Sequence, residues 1–402
     1  MKYAAPRLIL LLSHLLSSLD WVSEVHALVS EGSCDLEPWL SDERAPGGGE
    51  DGFHVLCVRS PSEIVVYPGG VASASPLRIE SGEGSAITGL RRQLKDHLKI
   101  SSVIRYSGKG FDVQWKKQPW TIFTDEGIEL QPGTEDSIIA KSSGGSFVWL
   151  LFEGGAWRWP TKEIGYERQI MSGVTLRTVS RQPALFEVSI DSERLDASAE
   201  NHLSPDLLAH VIKFAEKRLG PSITEGKVDK AVRSSEQTFI DYGSDSKLEV
   251  LRAATANLLR GQEENLEALQ VLRYSKGQHY DAHRDYWDPR EFPDVPRFRN
   301  QEGFWHQRHA TLLWYLDGPK KGGETWFPRA HGGPIPYGEW MACDQRGAKV
   351  FPANATAVLF YSLRADGDID EYSWHCGCPV KAGVKWAANS WYLNSPRGRR
   401  PP

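Results

Sequence analysis

Four polar side chains alternate within "QHYDAHRDYWDP", residues Gln278 to Pro289: His279, Asp281, His283 and Asp285. An extended chain turns side chains i and i+2 to the same face, so His283 and Asp285 could chelate one ion. His283-Arg284-Asp285 also spells the core of a kinase catalytic loop. That chemistry needs an Asn about five positions after the Asp, to hold a second magnesium, and position 290 is Arg. No Asp-Phe-Gly follows, and no Gly-rich phosphate loop precedes a suitable Lys, which excludes a kinase.

Two protein ligands hold a divalent metal weakly, so a third must come from elsewhere. His375 is the best candidate, at the end of "RADGDIDEYSWH" after the strand-like "TAVLFYSL". Two imidazoles and a carboxylate form the facial triad of non-haem ferrous oxygenases, with three positions left open. Catalytic zinc accepts the same donors, although the absence of His-Glu-x-x-His speaks against a hydrolase. On these residues alone iron, zinc and a plain polar surface all stay open. Lys385 lies ten positions beyond His375, in "AGVKWAANSWYL". An ammonium among buried strand residues needs an anionic partner, and no acid lies nearby in sequence. The carboxylate of a bound cosubstrate would supply it. The plain alternative is a Lys at a strand end reaching water.

The elements that must position these groups follow from pattern. "LSPDLLAHVIKFAEKRLGP" predicts a helix capped by Ser204, with Pro205 in its first turn and Gly220-Pro221 as its stop. A second helix is expected over 246–260, ended by Gly261, and a third short helical stretch over 265–269. "ALQVLRYS", "HATLLWYL", "TAVLFYSL" and "WAANSWYL" then read as strands between Gly, Pro and Asp turns. Helices followed by a run of strands mean an α+β fold, with helices buttressing a sandwich or jelly roll. Upstream, residues 28–180 form a β-rich accessory region. "EIVVYP", "DVQWKKQPWTIF", "SFVWLLF" and "VTLRTV" alternate as strands, and residues 31–54 are expected to be loose. Trp115, Trp120, Trp149, Trp157 and Trp159 fill its core or, alternatively, form an aromatic binding face.

The chain has 402 residues, 25% of them charged, and a net charge of -5, which gives no sign of nucleic-acid binding. Lys2, Arg7, the apolar run from Leu8 to Leu19 and Val25-His26-Ala27 read as a signal peptide over 1–27 rather than a membrane anchor. The secretory route makes disulfides possible. Five cysteines leave at least one unpaired within the chain, and Cys34 with Cys57 is an expected N-terminal pair. Asn354-Ala355-Thr356 is a glycosylation sequon on the edge of an apolar run. The basic Pro/Arg tail, 397–402, carries no Lys/His-Asp-Glu-Leu retrieval signal.

In "VRSSEQTF" (232–239), "EALQVLRYSKGQHYDAHRD" (267–285), "RHATLLWYLDGPKKGGETWFP" (308–328) and "HCGCPVKAGVKWAANSWYLN" (375–394), the chain resembles the prolyl 4-hydroxylases, most closely their plant and protist type. These are ferrous and 2-oxoglutarate-dependent dioxygenases. The likeness covers roughly 182–395 and implies a double-stranded β-helix domain over 181–396 with N-terminal helices. It implies His283, Asp285 and His375 as iron ligands and Lys385 as the residue that binds the distal carboxylate of 2-oxoglutarate. Tyr274, Thr325 and Trp391 match cosubstrate-pocket positions, and Tyr280, Arg308 and Glu267 match positions lining the peptide groove. Cys343 and Cys378 match a disulfide pair, leaving Cys376 as the odd thiol.

The activity implied is hydroxylation of peptidyl proline at C4 in secretory-pathway proteins, with oxidative decarboxylation of 2-oxoglutarate to succinate and carbon dioxide and with ascorbate as reductant. The setting implied is the endoplasmic reticulum or Golgi lumen, or the outside of the cell. Asp285 argues against a halogenase, which needs that position open. Two departures bear on peptide recognition. The 23 positions from Asp285 to Arg308 are long for the family and suggest a lid or substrate loop. Leu393 stands where a His is expected. The rivals are a related oxygenase with another target and a secreted binding protein that kept the fold without turnover.

Overall fold

The computed structural model describes residues 34–42, 52–72, 75–82, 85–108, 111–141, 146–191, 194, 203–223, 227–291, 299–300, 302–332, 343 and 346–396. The expected signal peptide and the tail 397–402 lie outside them, as do 43–51 of the stretch expected to be loose.

In chain order the strands are β1 (Phe53–Ser60), β2 (Glu63–Pro68), β3 (Leu77–Glu80), β4 (Val103–Gly108), β5 (Phe111–Lys116), β6 (Thr121–Thr124), β7 (Phe147–Phe152), β8 (Glu167–Met171), β9 (Val174–Ser180), β10 (Leu185–Ile190) and β11 (Gly220–Pro221). They continue as β12 (Glu236–Ile240), β13 (Leu269–Tyr274), β14 (Tyr280–His283), β15 (Arg308–Asp317), β16 (Lys321–Gly322), β17 (Thr325–Phe327), β18 (Ala348–Val350), β19 (Thr356–Tyr361), β20 (His375–Gly377), β21 (Val380–Ala382) and β22 (Lys385–Leu393). The α-helices are α1 (Leu90–Leu98), α2 (Glu135–Lys141), α3 (Pro205–Ala215) and α4 (Ser246–Leu258).

The second half closes two facing sheets. The large one runs β11-β12-β13-β22-β15-β19-β10-β9-β8 and the small one β14-β20-β17-β18. Between β13 and β22 the chain passes back and forth between the two, with β16 and β21 pairing as a separate two-stranded ribbon. Alternation sorts their side chains. Leu313, Tyr315, Val358, Phe360 and Ala387 face the small sheet. Their neighbours Leu312, Trp314, Ala357, Leu359 and Ala388 pack with Leu208 and Val211 of α3 and Leu248 and Leu251 of α4. The apolar stripes of two amphipathic helices thus cover the back of the large sheet. Ser204 caps α3, accepting from the Leu207 amide at 3.1 Å, and Asp245 caps α4 through the Lys247 amide. The helix expected over 265–269 is not one. A 3-10 turn covers Glu263–Asn265, and Leu269 already opens β13, because its side chain is needed in the core behind the sheet.

The N-terminal region is an antiparallel sheet, β3-β2-β1-β7-β6, with α1 and α2 on one face. Leu56, Val58, Trp149 and Leu151 point to the helices, while Val55, Cys57, Val148 and Leu150 join the core shared with α3 and α4. Residues 34–42 and 53–54 are not loose. The Cys34–Cys57 disulfide ties them down, and Leu36, Trp39 and Phe53 are buried in that core. Trp115, Trp149, Trp157 and Trp159 are buried and Trp120 is partly so. The boundary expected at residue 180 falls inside a continuous sheet. β8 pairs with β9, β9 with β10 and β10 with β19, because the outer edge of β19 would otherwise expose unpaired backbone groups.

Candidate active site

β14 and β20 bring the two histidines together. His283 and His375 are cross-strand partners in the small sheet, with ring centroids 4.4 Å apart. Asp285, two positions after His283, turns to the same side. Its two carboxylate oxygens stand 3.9 Å from the Nε2 atoms of His283 and His375, one oxygen to each. Both imidazoles are oriented from behind: Nδ1 of His283 donates to the Asp281 carbonyl at 2.8 Å, and Nδ1 of His375 to the Ser373 carbonyl at 2.9 Å. A carbonyl can only accept, so the proton in each of these bonds sits on Nδ1, and Nε2 is the ring atom that faces Asp285. Burial and the neighbouring His375 hold His283 well below the usual imidazole range, which keeps it neutral. Burial alone would raise the Asp285 carboxyl. His375, His283, Arg308 and the Thr311 hydroxyl outweigh it and hold the group ionised. Two imidazole nitrogens and a carboxylate are the donor set a ferrous ion takes, so these residues fit that metal.

Thr311 was missed in the sequence. Its hydroxyl donates to Asp285 at 2.6 Å from within β15. The signal was there: a Thr on the inward face of an otherwise apolar strand needs a partner for its hydroxyl. Phe327 and Phe360 pack on His375 with centroids at 5.4 and 4.6 Å and shut its far side from water.

Lys385 is 3% exposed and has no ion pair among the described residues; its Nζ donates to the Gly323 carbonyl at 2.8 Å. Burial lowers its pKa to about 8. Tyr274 is its cross-strand partner, and the Tyr274 and Tyr315 rings lie 5.5 and 5.2 Å from Nζ. Tyr315, also missed, donates its hydroxyl to Thr325 at 2.7 Å. Lys385, Tyr274 and Thr325 therefore share one end of the barrel. Trp391 does not join them. It lies six residues along β22, roughly 20 Å away at strand rise, and stacks under the Arg308 guanidinium at 3.6 Å.

Arg308 makes a bidentate pair with Glu267 (2.7 and 3.2 Å) and approaches the Asp285 carbonyl at 3.3 Å. Both residues thus brace the Asp285 backbone from the groove side. Tyr280 stacks on His283 at 3.7 Å, with the Arg233 guanidinium 4.2 Å over its ring. The segment between Asp285 and Arg308 is pinched at its neck: Gln307 accepts from the Trp287 amide at 3.0 Å and donates to the Trp287 carbonyl at 2.7 Å. Residues 292–298 and 301 within it lie outside the described residues. Cys343 and Cys378 are bonded to each other and Cys376 is a free, buried thiol. Those three sulfurs cluster as a metal site would, but two of them are consumed by the disulfide.

Comparison with known proteins meets this geometry. Residues 269–393 match the 2OG-Fe(II) oxygenase superfamily. Prolyl 4-hydroxylase 5 of Arabidopsis thaliana is 36% identical over 200 residues, 48% of this chain and 66% of that protein. Probable prolyl 4-hydroxylase 6 of the same plant is 32% identical over 234 residues, 54% of this chain and 78% of that protein. The 2OG complex of the viral collagen prolyl hydroxylase of Paramecium Bursaria Chlorella virus-1 matches with 27% identity and a TM-score of 0.35, over 48% of this chain and 93% of that one. The chain belongs to the prolyl 4-hydroxylase family of 2OG-Fe(II) oxygenases. It spans about two thirds, 66%, of the length of the first of these relatives, and its N-terminal sheet precedes the superfamily match.

Proposed function

We propose that this protein hydroxylates peptidyl proline at C4, using Fe(II), O2 and 2-oxoglutarate, with succinate and carbon dioxide as coproducts. The observation that carries this is the convergence of His283, Asp285 and His375 in the same barrel that buries a Lys385 ammonium with no ion pair among the described residues. His283, Asp285 and His375 would hold the iron. When bound, the metal supplies one-electron oxygen chemistry coupled to decarboxylation of the cosubstrate. The chain's own residues bind and orient. The Asp281 and Ser373 carbonyls fix the imidazole rings, and Thr311 fixes the carboxylate. Lys385 pairs with the distal carboxylate of 2-oxoglutarate, between Tyr274 and Thr325. Tyr280, Arg308, Glu267 and Trp391 line the approach of a proline-containing peptide. Holding C4 against the reactive centre and keeping bulk water out is the protein's contribution.

The two disulfides and the basic, apolar N-terminus support a secretory-pathway lumen or the cell exterior, where ascorbate serves as reductant. Among the described residues no helix is long and apolar enough to cross a membrane. The test is succinate release from 2-oxoglutarate with Fe(II) and ascorbate, against poly-proline, cell-wall-type and collagen-type peptides. A gain of one oxygen on proline, located by mass spectrometry, is expected with at least one of them. Oxygen found on another residue type would reassign the substrate, and no succinate with any peptide would leave only a binding protein on this fold.

A further inference from the structure

The N-terminal region meets the catalytic barrel at the segment that carries His375. That segment, 362–374, leaves β19 and folds back on itself through a Leu363–Ile369 bridge before β20 begins. Three consecutive N-terminal residues seize its base and its surroundings. The Trp157 carbonyl accepts from Nε2 of His309 on β15 at 2.8 Å. Arg158, fully buried, donates from Nη1 to the Leu363 carbonyl at 2.9 Å. The Trp159 amide donates to the Tyr361 hydroxyl at 2.9 Å, and its indole to the Leu258 carbonyl at the end of α4.

The tip of the segment is held as well. The Gly154 amide donates to the Ala365 carbonyl at 2.8 Å. A Cβ on Gly154 would lie 2.6 Å from the Gly367 Cα, and one on Gly52, which sits at φ +82°, would lie 2.5 Å from the Asp366 Cα. Only glycine permits either approach. Tyr106 of β4 donates its hydroxyl to Asp368. Inside the joint, Asp370 is 1% exposed; one carboxylate oxygen accepts from the Tyr372 amide, and the other, like Nε and Nη2 of Arg158, has no hydrogen-bond partner among the described residues. The Arg158 charge acts directly on that carboxylate. Asp370 and Ser373 fix the turn immediately before His375, and the Ser373 carbonyl is the one that orients the ring.

We propose that the N-terminal region is a working part of the metal centre: Arg158 and Tyr106 are positioning residues that hold segment 362–374 and thereby set the His375 imidazole. Hydrogen bonds join Arg158 to the Leu363 carbonyl, Leu363 to Ile369 across the bridge, Asp370 to Ser362, Ser373 to Asp370, and the His375 ring to the Ser373 carbonyl. This rests on the metal reading above and extends it to residues far from any ligand.

Co(II) serves as a spectroscopic probe for the ferrous site, read by its absorption bands in the full chain without turnover. Tyr106→Phe removes one hydroxyl and Arg158→Lys keeps the charge; Arg158→Met removes it. Arg158→Met is expected to weaken Co(II) binding by about 3–10-fold, below the roughly 10–100-fold range of groups that hydrogen-bond a ligand directly. Arg158→Lys recovers part of that loss, and Tyr106→Phe loses less. Leu151→Ala, on the opposite face of the N-terminal sheet, lowers thermal stability and leaves Co(II) affinity within twofold. Wild-type affinity in folded Arg158→Lys and Tyr106→Phe overturns the proposal, as does a loss in Leu151→Ala matching theirs. If Arg158→Met does not fold, Tyr106→Phe and Arg158→Lys decide. A wild-type chain that binds no Co(II) overturns the metal reading itself, and this inference with it.

Discussion

The small sheet of the barrel and the N-terminal sheet are both antiparallel and nearly equal in strand number, yet they solve opposite problems. The N-terminal sheet buries apolar side chains on both faces, against α1 and α2 on one side and the shared core on the other. The small sheet turns two imidazoles inward, with their Nε2 atoms facing Asp285 at 3.9 Å and no hydrogen bond to them among the described residues. A sheet that spends every face on packing gains stability and loses chemistry. One that keeps polar groups buried needs support from outside, here from Thr311, Arg308 and the segment before His375.

Substitutions sharpen that contrast, and the largest effect is expected at the ligands. His283→Ala, Asp285→Ala and His375→Ala should each bring 2-oxoglutarate turnover to background with little change in melting temperature. Retained turnover would remove that residue from the metal centre. Lys385→Met should lower 2-oxoglutarate affinity by roughly 100-fold or more, since a buried ion pair loses about 3–5 kcal/mol with one partner gone. The melting temperature of the ligand-free variant should stay level or rise, because the substitution relieves a buried, unpaired charge. Isothermal titration and thermal scanning check the two halves separately, and a marked drop in stability without ligand would assign Lys385 to the fold instead.

Thr311→Val keeps the shape and removes the donor to Asp285; metal affinity should fall about 10–100-fold. The acidity of Lys385 gives the next effect. Its pKa is lowered to about 8 in the free protein, and pairing with a carboxylate raises it in the complex. Binding therefore takes up a proton once the pH exceeds about 8. Affinity for 2-oxoglutarate should be flat below that pH and fall up to about tenfold per unit above it. A flat profile to pH 9.5 would contradict the pairing. The smallest effect on the site is expected from Leu151→Ala, which should cost about 2–5 kcal/mol of stability and leave 2-oxoglutarate affinity unchanged.

Much of the barrel was legible because β13, β15, β19 and β22 are runs rich in Val, Leu, Thr and aromatics between Gly, Pro and Asp turns, buried along nearly their whole length, and α3 carries its own cap and stop signals. His283 and Asp285 were legible through their spacing. His375 was legible as a candidate through its place after the strand-like "TAVLFYSL", but its cross-strand pairing with His283 was not. Three things were hidden. Thr311 and Tyr315 reveal their partners only when β15 faces the small sheet. Asn265 sits in a helix-like run whose apolar neighbours serve a strand instead. The accessory region looked separate because local pattern says which residues are buried, not against what; Trp157 and Trp159 could not announce that they pack on the catalytic half.

Pairing of β9 with β10 and of β10 with β19 has a practical consequence. Expressing residues 181–396 alone would cut between β9 and β10, strip the outermost strand pair and leave β10 with a raw hydrogen-bonding margin. Such a margin recruits strands from other molecules. Any minimal catalytic fragment should therefore begin before Glu167, and one that also retains the Trp157–Trp159 strap has to begin earlier still.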